Sequence, residues 1–269
     1  MSDEKIRNAV QEIIGELMEQ VMHKVLNKDP FIKEKFRSEK PLYATLVPDE
    51  IFKGSHFERR FVTPFGRVWE KLAVAAAKHT AKTAIQSHSV DGLVKQERLR
   101  RISETLNKLE HSNITPSWDK EINYILDGGG EDIPTTVICD IYIESDENKY
   151  AYELKAPLPN SDQTKVSKEK LLKLYSMEPI QINEAYFALP YNPYGGKEDY
   201  KWSFPKRWFD MTNDSVVLIG DEFWDMIGGT GTYQAFISAI NELGKEYRGR
   251  IYREFLGIEP PDGSLDWEL

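Results

Sequence analysis

A single cysteine, Cys139, is all the thiol this chain has. One thiol builds neither a disulfide framework nor a thiolate-bound zinc cluster, so both are excluded as the basis of the fold. No run of about 18 apolar residues occurs, which argues against a membrane-spanning helix. The first 20 residues are charged and amphipathic rather than apolar, unlike a signal peptide. Gly228-Gly229-Thr230-Gly231 is glycine-rich, but no Gly-Lys-Ser/Thr follows it, so it is not a phosphate-cradling P-loop. The five histidines, His23, His56, His79, His88 and His111, show no metal-ligand spacing. Internal repeats and low-complexity linkers are missing too, and we expect one domain over 1–269. A surplus of positive charge is also lacking. The net charge of −9 and pI near 5.2 speak against a protein that coats nucleic acid indiscriminately.

What is present points to an ordinary folded protein, expected to be soluble and cytoplasmic. Apolar residues make up 40% and aromatics 12%, enough for a substantial core. Basic residues are gathered locally: Arg59, Arg60, Arg67 and Lys71; Lys95, Arg98, Arg100 and Arg101; Lys165, Lys168, Lys170 and Lys173; Lys197, Lys201, Lys206 and Arg207. Screening acts over roughly 10 Å at ordinary salt, so such clusters act locally whatever the total charge. A solvated face is the plainer reading of each.

Helical spacing of Ile6, Val10, Ile13, Ile14, Leu17, Val21 and Val25 predicts a helix over 2–27, stopped by Asp29-Pro30. Residues 31–64 read as irregular. A helix is expected over 65–85, close-packed through Ala73–Ala77, and a more charged one over 94–110. Two strand-like runs follow, 136–144 and 149–156, joined by the polar turn 145–148. Next come a Pro-rich bend at 157–160 and a helix capped by Ser161 or Asp162 that runs to about Met177. Strands are expected at 185–189 and 216–219, and helices at 221–227 and 233–255. A right-handed crossover makes the 185–189 strand parallel to 149–156. The fold class is therefore α/β: a mixed sheet flanked by helices in 116–269, with a mostly helical N-terminal region in 1–115.

The hairpin carries the chemistry. Strand side chains alternate, so Glu153 and Lys155 share a face, and the hairpin brings Asp140 beside them. The pattern Asp/Glu-x-Lys occurs four times, but only at Glu153–Lys155 does it lie in an apolar strand with an embedded acid just upstream. Charged groups beside a core are costly unless paired or bound to an ion. Two carboxylates and an ammonium suit Mg²⁺ and a phosphodiester. A structural salt bridge among the three side chains is the alternative. Mg²⁺ takes one or two carboxylates and keeps waters, so Asp140, Glu153 and the Leu154 carbonyl are candidate ligands, with Lys155 beside the phosphate or the attacking water.

Asp140, twelve intervening residues, then Glu153-x-Lys155 resembles the signature of the PD-(D/E)xK nuclease superfamily, with Cys139 at the position of the proline that names it. The run YELKAPLPNSDQTKVSKEKLLKLYSM, Tyr152–Met177, is similar to type II restriction endonucleases of the TdeIII/MjaII kind. The resemblance covers residues 136–177. It implies a restriction-endonuclease-like fold and Mg²⁺-dependent, site-specific hydrolysis of double-stranded DNA that leaves 5′-phosphates. It also implies a homodimer, a cognate DNA methyltransferase in the same system, and a GGNCC-like palindrome. Such enzymes often supply a further glutamate from an N-terminal helix, which makes Glu70 a candidate; an exposed pair with Arg67 or Lys71 is its plainer reading. Asn160, Asp162, Gln163, Lys165 and Lys168 follow the strand and have side chains suited to DNA contact. Helix capping and a solvated face would account for them as well. Other classes remain open: a nuclease of repair or structure-specific cleavage, or a non-catalytic binding or scaffold domain.

Overall fold

The computed structural model describes residues 2–78, 80–112 and 114–268, so His79 lies outside the described residues. In chain order the helices are α1 (Ser2–His23, continued by a π-helical turn, Lys24–Lys28), α2 (Lys33–Glu39), α3 (Pro41–Leu46), α4 (Asp49–Phe65) and α5 (Val68–Ala77). Strand β1 (Thr83–Lys95), α6 (Gln96–His111), α7 (Trp118–Leu126), β2 (Asp132–Glu144), β3 (Lys149–Leu154), α8 (Ser161–Tyr175), β4 (Met177–Glu178) and β5 (Glu184–Leu189) follow. Last come β6 (Val217–Ile219), α9 (Asp221–Gly228) and α10 (Thr232–Arg250), with a π-helical extension, Ile251–Leu256. None of the described helices is long and apolar enough to cross a membrane.

The chain groups into two units, Met1–Leu72 with Gln234–Leu269, and Ala73–Tyr233. The first is helical. The α1 stripe of Ile6, Val10, Ile14, Leu17 and Val21 is buried as its spacing requires. Arg7 pairs with Glu242, and Tyr247 donates to the Gly15 carbonyl, so α1 and α10 run side by side in the same direction. Phe57, Phe61, Phe65 and Trp69 recur every fourth residue and contact one another in sequence.

The second unit holds the sheet, six strands in the order β4-β1-β2-β3-β5-β6. β1, β2 and β3 are antiparallel in turn, whereas β5 lies parallel to β3 and β6 parallel to β5. The expected crossover through α8 is therefore formed.

Several expectations are corrected. Residues 31–64 are not irregular but carry α2, α3 and nearly all of α4. The helix expected over 65–85 is cut short at both ends. Gly66 and Arg67 form a turn after α4, and α5 stops at Ala77, where the Ala81 N–H closes onto its carbonyl. From Lys82, which donates to the Glu144 carbonyl, the chain is committed to the β1–β2 ladder. That ladder runs the full length of both strands and outweighs the helix propensity of the alanine run. α7 was not foreseen. The α8 cap is Asn160, not Ser161 or Asp162: its side chain accepts from the Gln163 N–H in a capping box.

Candidate active site

The β2–β3 ladder pairs Glu144 with Lys149 and ends at Ile141 with Tyr152. One step further the register puts Asp140 opposite Glu153, and there a side chain replaces the backbone partner. Asp140 Oδ2 accepts from the Leu154 N–H at 3.0 Å. The N–H and C=O of a strand residue point to the same edge, so the Leu154 carbonyl faces the same gap. Lys155 lies just past β3, its N–H held by the Ala188 carbonyl of β5. Its Nζ reaches Asp140 Oδ2 at 2.5 Å and Glu153 Oε2 at 3.2 Å. The three side chains expected to converge do so.

α8 closes the other side. Lys170 Nζ lies 2.8 Å from Glu153 Oε1, and Ser167 Oγ, 3.3 Å away, donates to Oε2. They are one helical turn apart and so face the sheet together. Glu153 itself is 1% exposed. Burial, reinforced by Asp140, raises its pKa above the ordinary carboxylate range against the pull of Lys155 and Lys170. Burial alone would lower the pKa of Lys155, but Glu153 and Asp140 together outweigh it and raise it, so the ammonium stays charged. Cys139, in the proline position, is buried and its thiol is pushed up to about 12, which makes it inert. Lys170 and Ser167 are contributions that sequence reasoning missed. In the sequence Lys170 reads as one of a solvated basic cluster, and only the fold shows that it reaches Glu153.

The donor set fits Mg²⁺. Two carboxylates and one carbonyl leave room for the waters and phosphate oxygens that this ion retains. Among the described residues no group of three or more His, Cys, Asp or Glu gathers into a full protein cage. A buried Glu153 with raised pKa is also a site where an added cation favours the ionised form.

The other expected residues fall into distinct settings. Asn160 and Gln163 hold each other in the capping box at the exposed start of α8, beside Asp162. Lys165 Nζ lies 2.5 Å from Glu110. Lys168 is fully buried, paired with Glu121 and packed over the rings of Trp118 and Phe209. Its ammonium therefore faces the core and not a phosphate, because burial under two aromatic rings leaves it no route to solvent. Lys173 pairs with Glu169, so the helix offers no stripe of unmatched lysines. Glu70 lies in the first turn of α5, in the helical unit. The loop after β5 clamps the Pro-rich bend: Tyr200, Trp202 and Trp208 donate to the Pro157 carbonyl, the Pro159 carbonyl and Ser161 Oγ. These bonds fix the path from Lys155 into α8.

The chain as a whole is similar to known type II restriction enzymes. A family profile described as type II restriction endonuclease, HinfI, matches residues 6–244, which includes every residue of the constellation. The type II restriction enzyme HgiCII of Herpetosiphon aurantiacus is 28% identical over 227 residues, covering 81% of this chain and 82% of its own. HgiBI of the same organism is 27% identical over 233 residues, 81% of each chain. The type II restriction enzyme MjaII of Methanocaldococcus jannaschii is 24% identical over 168 residues, 56% of this chain and 45% of its own.

Proposed function

This chain belongs to the HinfI family of type II restriction endonucleases, site-specific deoxyribonucleases that generally use a divalent metal, and from that premise we propose the following reaction. The whole chain, 1–269, works as one nuclease that hydrolyses double-stranded DNA with Mg²⁺ and leaves 5′-phosphates. The observation that carries this reading is the convergence of Asp140, Glu153 and Lys155 where β2 and β3 separate.

Asp140, Glu153 and the Leu154 carbonyl would hold the ion, which when bound polarises the scissile phosphate and acidifies a water. The protein's own groups do the rest. The Leu154 N–H fixes the Asp140 carboxylate, and Ser167 with Lys170 fixes that of Glu153. Lys155, kept charged by both carboxylates, stabilises negative charge on the phosphate and orients the attacking water. Glu70 is proposed as a further carboxylate of the metal site. Asn160, Asp162, Gln163 and Lys165, at the start of α8, are proposed as DNA contacts. For Lys168 the proposed role is structural.

One such centre cuts one strand. Cleavage of both is proposed to come from a two-fold homodimer on a short palindrome of the GGNCC kind, with a cognate methyltransferase protecting host DNA. Incubating plasmid DNA with the protein and Mg²⁺, then sequencing the ends, tests this. Discrete ends at one symmetric sequence, with 5′-phosphates, are expected. Uncut plasmid, or cuts only at branched or damaged DNA, would overturn it.

A further inference from the structure

The helical unit contains a cleft of about 830 Å³ between α1, the π-helical turn after it, and the α4–α5 segment. Its lining holds five cations, Lys24, Arg59, Arg60, Arg67 and Lys71, against two carboxylates, Glu16 and Asp29. Arg60 is spent: it is bound to Asp29 and to the His56 carbonyl, and so ties α4 to the end of α1. Arg59, Arg67 and Lys71 are different. Each is exposed, and among the described residues none has a carboxylate partner within ion-pair distance.

Two of the other basic clusters in this chain of net charge −9 are fully matched. The basic groups at 95–101 are matched by Asp132, Glu178, Glu97 and Glu104, and those on α8 by Glu110, Glu121, Glu153 and Glu169. Lys197 is matched by Glu222, while Lys201, Lys206 and Arg207 are exposed without such a partner among the described residues but do not line this cleft. The cleft therefore gathers unmatched positive charge in a concave wall, which focuses the field toward an anion.

The spacing says which anion. Arg59 and Thr63 lie on α4, Arg67 in the turn after it and Lys71 on α5, and all line the cleft, so the cations are strung along its wall. A strand of duplex DNA presents a regular succession of phosphate charges, which three cations strung along a wall can meet one by one. A single small anion would need one convergent point and not a row.

We propose that this cleft binds the sugar–phosphate backbone of duplex DNA, by contacts separate from those at Asp140, Glu153 and Lys155. The contacts are to phosphates, so they supply affinity and not sequence choice. The inference rests on the nuclease reading for its substrate, but not for its measurement.

The test uses the full chain with Arg59, Arg67 and Lys71 all changed to Gln, and measures duplex binding by fluorescence anisotropy without divalent metal over a range of salt. The log-affinity versus log-salt slope is expected to fall by about 2.7, at about 0.9 per contact, equally for cognate and random-sequence duplexes. A control with Lys5→Gln and Lys245→Gln, both exposed and outside the cleft, is expected to keep the wild-type slope. An unchanged slope in the triple variant, or an equal fall in the control, overturns the proposal. So does loss of inorganic phosphate binding with duplex binding intact, which would make the cleft a small-anion site. Far-ultraviolet circular dichroism of the triple variant is expected to match wild type, since all three side chains are exposed. Wild-type protein that binds duplex but never cuts it would sink the nuclease reading and leave this one standing.

Discussion

α8 delivers a lysine to each of two charged clusters, and the two could hardly differ more. Lys170 goes to Glu153, where Asp140 and Lys155 also meet, in a gap where the sheet has come apart. Lys168 goes to Glu121, under the rings of Trp118 and Phe209, with nothing of its side chain exposed. Burial is common to both. Access is not: the side chains of Asp140, Lys155 and Lys170 remain about a fifth to a quarter exposed. Nor are the donor sets alike, since the first holds a second carboxylate and the Leu154 carbonyl edge. A charge cluster becomes a reactive site when its charges exceed what packing needs and a ligand can reach them. Otherwise it is a buried ion pair, whose worth lies mainly in not being broken.

The sharpest way to break the comparison is to remove one lysine from each cluster. Lys155→Ala is expected to lower DNA cleavage by at least about 10³-fold while leaving the melting transition nearly unchanged, because charge stabilisation at the phosphate is lost and packing is not. Quantified plasmid cleavage beside thermal melting checks both halves. Cleavage within tenfold of wild type would return the cluster to a structural salt bridge.

Lys168→Ala is expected to do the reverse. Leaving Glu121 unpaired beside aromatic rings should cost about 3–5 kcal/mol of stability. The double change Lys168→Met with Glu121→Leu should recover most of that loss, since packed apolar groups can replace a buried pair. Cleavage per folded molecule should persist in the double variant. The pH dependence gives a second check. Burial lowers the pKa of Lys168, so the unfolded chain binds more protons between that lowered value and the ordinary 10.5, and stability rises with pH across this window. Lys168→Met should remove that rise. A stable variant that has lost DNA affinity would instead restore Lys168 to the DNA contacts first expected of it.

How much of this contrast was legible beforehand follows from the range of the interactions. The hairpin was readable because it is local: acids embedded in alternating apolar runs, a polar turn between them, and a lysine two residues on. The parallel pairing of β5 with β3 followed from handedness. β1 was not readable. Its sequence, TAIQSHSVDGLVK, is polar and half-exposed along its length, and it follows directly on an alanine-rich helix. Only its ladder with β2 makes it a strand. Asn160 could have been found, because Asn-x-x-Gln before an apolar-periodic run is a capping signal. The different fates of Lys168 and Lys170 could not, since their partners lie on α7 and β3, far away in sequence.

Lys170→Met sharpens the comparison from inside the reactive cluster. Lys170 lowers the pKa of Glu153, so its removal should push that raised pKa higher. The metal needs the ionised carboxylate, so binding should weaken as pH falls through this value, and earlier in the variant than in wild type. Once Glu153 is ionised in both, the variant should bind metal at least as well, because a competing cation is gone. Calorimetric Mn²⁺ titration across pH should therefore show two curves that cross, with a loss of about tenfold on the acid side. Parallel curves would mean that Lys170 only fills space.

The smallest expected effect concerns the strand on the far side of Asp140. Between the pairs Gln86–Ile141 and His88–Cys139, the register puts Ser87 opposite Asp140, and Ser87 has φ of 52°. A left-handed residue inside a strand costs about 1–2 kcal/mol unless it is glycine, while glycine itself gives back about 0.5–1 kcal/mol through the unfolded chain. Ser87→Gly should thus raise stability by about 0.5–1 kcal/mol, a melting shift on the order of 2 °C for a chain of this size. Ser87→Val should lower it, since a β-branched side chain tolerates that backbone least. If the turned backbone at Ser87 helps set where Asp140 stands, the valine variant should also lose cleavage beyond its loss of folded protein. Unaltered cleavage per folded molecule in the valine variant would confine the strain at Ser87 to the fold, and the geometry of the reactive cluster would then be set by β2, β3 and α8 alone.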